Sequence, residues 1–334
     1  MPTIISTTNS GGKRIPLTKT LTWTENAWSK SDYSNAYLFN SDRYPARSID
    51  ELSVLLQVLE TMPYHAIIRG RLVDGRDDVA VRRTLHSFIN PEGNFEPSPN
   101  GLRWLMLDID KLPVSSYGFT GMEERLAHLI STLPPEFQQA TFHFQWSSSA
   151  GLDGWGTLSC HLWFFLTEPW LCGDLHDRLQ SGDWKHYDID PAPFTPNQIH
   201  YTASPIFVGA QDPLGCDRSG LVRGQVDAVT ISPWVRPVEP RPVFTPAERE
   251  ERFPGCGFED LLADIGPSYH RPILRAVAHY VAVTAEPDVD WLTERLVDTI
   301  WAAHHGKNRK QDYVDPRYLD RVISGALAKF RRIV

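Results

Sequence analysis

Hydrophobic and polar positions alternate in the first part of the chain, in "LTWTENAW" and "YLFN", and that period of two predicts strands. A helix follows. Ser48 and Glu51 have the spacing of a capping box, and Leu52, Leu55, Leu56 and Leu59 then fall on one helical face. "HAIIRG" (His65 to Gly70) reads as a short strand, Asp74 to Asp78 as a charged loop, and Pro91 to Asn100 as a turn-rich connection. The middle of the chain has a regular order. "RWLMLDID" (Arg103 to Asp110) is a buried strand that ends in carboxylates. Thr120 and Glu123 predict a capped helix running to about Leu133. "ATFHFQW" and "LSCHLWFFL" (Leu158 to Leu166) are strands, Trp170 to Leu179 suits a short helix, and Ile199 to Gly209 is a last strand bent at Pro205. This β-α-β-β-α-β sequence is the split unit of ferredoxin-like, RRM-like sheets, here over about residues 101–225.

Prolines then cluster at Pro233, Pro237, Pro240, Pro242 and Pro246, as in an extended linker. Thr245 and Glu248 predict the cap of a following helix, and the pattern is helical from there on. Leu319, Val322, Ile323, Ala326, Leu327 and Phe330 keep helical spacing behind Asp315 as N-cap and Pro316 as first helical residue. The predicted fold class is α+β: an N-terminal α/β unit and the RRM-like sheet within residues 1–240, then an all-helical accessory domain over 241–334.

Composition alters this picture little. The chain has 334 residues, 41% hydrophobic and 22% charged, the balance of a globular protein. Its four cysteines, Cys160, Cys172, Cys216 and Cys256, include no C-x-x-C pair, which argues against a structural zinc site and a disulfide framework. The first thirty residues are polar, without a signal-peptide core, and no apolar run is long enough to span a bilayer; the expected location is the cytoplasm of a bacterium or of a virus-infected host cell. Charge matters more through its distribution. The net charge of −8 argues against non-specific nucleic-acid binding by the whole surface. Yet Gly306 to Val334 carries eight Lys or Arg against three Asp, a local surplus that suits a nucleic-acid backbone as well as an ordinary solvated helix face.

The candidate chemistry lies in "LMLDIDKL". Asp108 and Asp110 are two apart on a strand and so share a face. Two neighbouring carboxylates repel unless something neutralises them, and a hard divalent cation, Mg²⁺ or Mn²⁺, does so. Ser159 and His161 in "LSCHLWFFL" are again two apart and suit anionic oxygens. In the split sheet the first and third strands are antiparallel neighbours, and the last strand is expected beside the first. Asp108, Asp110, Ser159, His161 and either Asp188 or Asp190 of "HYDIDP" would then converge on one edge.

An apolar strand ending in D-x-D, an S-x-H on a later strand and an acidic residue after a hydrophobic one resemble the three motifs of the archaeo-eukaryotic primase superfamily, over roughly residues 65–225. The resemblance is closest to primase-polymerases of phages, plasmids and mobile elements. It implies a template-dependent nucleotidyltransferase, a DNA primase or polymerase, working with two divalent ions on nucleoside triphosphates and a single-stranded DNA template, beside a replicative helicase. By position it implies Asp108, Asp110 and Asp190 (Asp188 as alternative) as catalytic metal ligands, with Asp190 preferred because Ile189 precedes it. Ser159 and His161 become nucleotide-binding residues. Basic partners for the nucleotide are sought in Arg69 and Arg71 after the "HAII" strand and in Arg218 and Arg223 after the last sheet strand. The chain departs from the pattern in its "SSSAG" loop (Ser147 to Gly151), which "LDGWGTL" separates from Ser159. Two rival readings remain. A non-catalytic single-stranded nucleic-acid-binding module would want exposed aromatics on its central strands, where this chain has Asp and Ser/His. A rolling-circle replication endonuclease would want two His where "TFHFQW" has one. No G-x-x-x-x-G-K-[ST] phosphate loop occurs, so a helicase motor would be a separate chain or a missing region.

Overall fold

The computed structural model describes all residues except 9–13, 34, 88–89, 115–117, 188, 234–256, 267, 304–309 and 331–334. The chain divides into two units, Met1–Pro237 and Val238–Val334, and its class is α+β. The expected linker prolines from Pro237 onward and the Thr245–Glu248 cap lie outside the described residues.

The first unit opens with strand β1 (Thr3–Thr7), and the alternating stretches are strands β2 (Thr20–Thr24), β3 (Ala27–Lys30) and β4 (Leu38–Arg43). Helix α1 (Ile49–Glu60) begins as its sequence demands: the Glu51 N–H donates to Ser48 Oγ (3.2 Å), and the Glu51 carboxylate accepts from the Arg47 N–H (2.8 Å). Then come β5 (His65–Ile68), the short β6 (Arg71–Leu72), β7 (Val81–Arg82) and β8 (Phe95–Glu96), and the long β9 (Leu102–Pro113). Helix α2 (Met122–Ser131) is capped one residue later than the pattern suggests. Gly121 is its N-cap, so Glu124 rather than Glu123 sits in the third helical position and accepts from the Thr120 N–H (2.7 Å). The remaining elements are β10 (Phe142–Trp146), β11 (Thr157–Trp170), α3 (Cys172–Ser181), β12 (Ile206–Val208) and β13 (Ser219–Val222).

The central sheet runs β13-β10-β11-β9, and all its pairs are antiparallel. Its two faces follow the period of two. Leu105, Leu107 and Ile109 of β9, with Cys160, Leu162 and Phe164 of β11, are buried in a core with α2 and α3. Trp104, Met106, Trp163 and Phe165 face the other way, onto Leu52, Leu55, Leu56 and Leu59 of α1. Helix α1 covers only that end. Beyond it, Asp108, Asp110, Ser159 and His161 continue the same face and line a cleft.

One part of the expected topology is corrected. β9, β11 and β10 are neighbours as anticipated, but Ile199–Gly209 does not pair with β9. The His200 N–H and C=O are both taken by Ile67 of β5 (2.8 and 3.1 Å), and β12 pairs in parallel with β2. Pro205 supplies no donor between these two contacts. The free edge of β9 is instead met at two carbonyls. Arg69 Nη1 donates to the Trp104 carbonyl (2.5 Å), and the Asp190 N–H donates to the Asp108 carbonyl (3.2 Å). β1, β4, β5 and β7 form a second sheet ordered β5-β1-β4-β7, and β12, β2 and β3 a third.

The second unit holds α4 (Phe258–Ala263), α5 (His270–Val283), α6 (Val289–Ala302), α7 (Lys310–Val314) and α8 (Pro316–Phe330) around its own core, which includes Ile273, Val277, Leu292, Leu296, Leu319 and Ile323. Asp315 caps α8 as anticipated, its carboxylate accepting from the Arg317 N–H (2.8 Å). Among the described residues no helix is long and apolar enough to cross a membrane.

Candidate active site

β9 and β11 bring the two motifs face to face. Asp108 lies directly opposite His161 in the ladder. The Asp108 carbonyl is turned to the free edge, so the pair is of the kind whose side chains approach most closely, and His161 Nε2 stands 3.7 Å from Asp108 Oδ1.

The next step of the ladder is irregular. Cys160 pairs with Ile109 and Leu158 with Leu112, so Asp110 and Lys111 together oppose Ser159 in a β-bulge. The Ser159 hydroxyl ties the bulge together. It donates to Asp110 Oδ1 (2.9 Å) and accepts from the Lys111 N–H (2.8 Å). Lys111 takes a left-handed backbone (φ 55°), uncommon for a residue with a side chain. The consequence is geometric. Strict alternation would send Lys111 to the opposite face from Asp110, whereas with the extra residue both line the same cleft.

Asp190 arrives on a loop rather than a strand. Ile189 is buried in the α2–α3 core and anchors it, the Asp190 amide holds Asp108, and Asp190 Oδ1 accepts from the Ala192 N–H (2.8 Å). Asp188, the alternative, lies outside the described residues. Burial raises the Asp108 carboxyl above the usual aspartate range; His161 opposes this, and the charges of Asp190 and Asp110 add to it.

These residues line a cleft of about 1010 Å³. Its other walls were not foreseen. Lys19, Trp23, Trp28 and Lys30 come from β2, β3 and the residue before them, and Tyr33 and Tyr201 form another side. The alternation of β2 and β3 was visible, but nothing in it told which distant site the hairpin would cover. The "SSSAG" loop also lines the cleft, through Ser147, Ser148, Ser149 and Ala150.

The four arginines proposed as nucleotide partners have other engagements, and none of them lines the cleft. Arg69 is buried at the β9 edge against the rings of Trp104 and Phe194. Arg71 pairs with Asp74 and Glu96, and the exposed Arg223 with Asp50 and Asp227. Arg218 is buried in a two-pronged pair with Asp212 (2.5 and 2.6 Å) and donates to the Ser147 carbonyl (2.8 Å), so it holds the serine loop in place. Arg218→Ala is therefore expected to cost about 1.5–3 kcal/mol in unfolding free energy by denaturant titration, because the buried charged hydrogen bonds to Asp212 are lost while Asp212 keeps the Leu214 N–H. Arg223→Ala at an exposed pair is expected to cost under about 1 kcal/mol.

Among the described residues no set of three or more His, Cys, Asp or Glu side chains is already gathered to enclose a metal ion. The donor chemistry nevertheless suits a hard divalent cation. Asp110 and Asp190 each commit one carboxylate oxygen to a hydrogen bond, and Asp108 sits among negative neighbours that a cation would offset. No family model, curated protein or solved structure matches the chain.

Proposed function

We propose that this protein is a template-dependent nucleotidyltransferase that synthesises and extends primers on single-stranded DNA, the activity implied by its resemblance to the archaeo-eukaryotic primase superfamily. The observation that carries the reading is the meeting of Asp108, Asp110, Ser159, His161 and Asp190 in one cleft that also contains lysines. Ladder pairing, a bulge and a loop bring together residues from three separate stretches of sequence.

In the proposed reaction a primer 3′-hydroxyl oxygen attacks the α-phosphorus of a nucleoside triphosphate. A phosphodiester bond forms, the α–β anhydride breaks, pyrophosphate leaves, and the hydroxyl proton passes to solvent. Asp108, Asp110 and Asp190 would hold two divalent ions, Mg²⁺ or Mn²⁺, which when bound would supply activation of the hydroxyl and neutralisation of the leaving pyrophosphate. The protein's own groups bind and orient. Ser159 fixes the direction of Asp110, and His161 together with the serine-loop backbone receives phosphate oxygens.

The test is incorporation of labelled nucleotide on a single-stranded template, run beside nicking of the same DNA. Incorporation supports the reading, whereas nicking without incorporation turns it toward a replication endonuclease. His161→Ala is expected to weaken nucleotide binding about tenfold or more with little change in template affinity, since a charge-assisted phosphate contact contributes about 1.5–3 kcal/mol. Template affinity falling instead would assign His161 to the strand.

A further inference from the structure

One wall of the cleft has no part in the carboxylate chemistry: the three-stranded sheet β12-β2-β3. Its register sets Trp23 opposite Trp28, Leu21 opposite Lys30, and Phe207 beside Leu21. Paired residues project to one side, and Leu21 and Trp23 are two apart on β2, so all five share a face. Trp23, Trp28, Leu21 and Lys30 of that face line the cleft.

The rings are held, yet they are not core. Trp23 and Trp28 stand 5.0 Å apart, and Phe207 meets Trp28 edge-on at 5.5 Å. Both tryptophans are partly exposed and belong to none of the buried hydrophobic clusters of their unit. The turn between them has Glu25 and Asn26 both at positive φ (51° and 65°), the two-residue connection that matches strand twist and fixes a hairpin firmly. At the rim Lys30 Nζ reaches Ser149 Oγ (3.4 Å), so the sheet abuts the serine loop. Lys19 lies over the Tyr33 ring (4.3 Å), and Tyr33 stacks flat on Tyr201 (3.6 Å, 6°). Burial and the neighbouring Lys30 charge lower the Lys19 ammonium pKa, and the carboxylates of Asp32 and Asp110 oppose this.

We propose that this face is a stacking platform for the unpaired bases of a single-stranded nucleic acid, with Lys19 and Lys30 on its phosphates. The assignment of that strand as template rests on the function proposed above; the platform itself does not. Unpaired bases suit the wall for a physical reason. A ring can stack on Trp23 or Trp28 only if its face is free, and every base has such a face, so the contact is sequence-tolerant. Duplex DNA hides those faces. A lone nucleotide would fill one ring position and leave the rest of the aromatic face bare.

The experiment uses the full chain without nucleotide or divalent ion, so it stands whether or not the protein polymerises. Binding of a labelled oligothymidylate is followed by fluorescence anisotropy over a salt series. Trp23→Ala and Trp28→Ala are each expected to weaken binding roughly 5- to 140-fold, the equivalent of ~1–3 kcal/mol per stacked base, with the salt slope unchanged. Trp28→Phe keeps a ring and is expected to retain most of the affinity. Lys30→Ala is expected to reduce the salt slope by about 0.7. A second measurement on the unaltered protein needs no variant to fold: photo-crosslinking with a bromodeoxyuridine oligonucleotide, with crosslinks expected in the peptide spanning residues 19–33. Wild-type affinity in both alanine variants overturns the proposal. So do crosslinks confined to the helical unit.

Discussion

Asp108→Ala and Asp110→Ala are each expected to reduce nucleotide incorporation by at least about 100-fold, the scale on which removal of a preorganised charge acts in a reacting site. The fold should survive both changes. Burial and the charges of Asp190 and Asp110 raise the Asp108 carboxyl above its ordinary value, so its ionised form opposes folding. The sign follows from linkage. Below the unfolded value of about 3.9 the group is protonated in both states and the penalty is absent. As pH rises through the raised folded value the penalty grows, and above it the penalty is complete. At neutral pH the isosteric Asp108→Asn therefore removes an unfavourable term, and its melting temperature is expected to equal or exceed that of the unaltered chain. A residual rate within about tenfold of normal in either alanine variant, with Mg²⁺ or Mn²⁺, would remove these carboxylates from the chemistry. A large fall in melting temperature for Asp108→Asn would mean that the carboxylate is instead a structural partner of His161.

A chain ending near residue 240 is expected to extend a supplied primer within about threefold of the full-length rate and to lose about tenfold or more of its de novo priming. The two units have separate cores, so removing the second leaves the hydrophobic clusters of the first complete. Extension begins from a duplex end that is already a stable complex. The first dinucleotide step must gather two nucleotides and a template with no duplex to hold them, and a linked second binding surface raises the effective concentration where that entropic cost is greatest. Lys310, Arg317, Arg321 and Lys329 of the helical unit are described basic residues suited to a backbone; Lys307, Arg309, Arg331 and Arg332 lie outside the described set. Both activities are to be compared at matched salt, since phosphate contacts are salt-sensitive. Equal loss of both would assign the helical unit to the catalytic fold, and unchanged priming would assign it to another partner.

Local signals were legible wherever the chemistry was local. Ser48–Glu51 and Asp315–Pro316 announced their helix starts because a cap is made by residues a few positions apart. The shared face of Asp108 with Asp110, and of Ser159 with His161, followed from the two-residue period of a strand. The pairing of the two strands followed from the order of elements, and with it the meeting of Asp108 and His161.

Other features depended on contacts between distant segments, which no local pattern encodes. The segment expected to complete the sheet beside β9 is held by Ile67 and by β2, because those strands offer partners for its backbone that compete with the β9 edge. Asp190 still reaches Asp108, but through a loop anchored by the buried Ile189. The four arginines carried the right charge for phosphate, yet each found a nearer carboxylate or carbonyl, and pairing is fixed by proximity in space. The cleft's lysines come instead from Lys19, Lys30 and the bulged Lys111. Sequence by itself determined the paired strands Leu102–Pro113 and Thr157–Trp170, the helix starts at Ser48 and Asp315, and the faces that carry the carboxylates. Tertiary structure decided which cations and aromatic rings stand opposite them, because a cleft wall is made by whichever segment packs there, not by its distance along the chain.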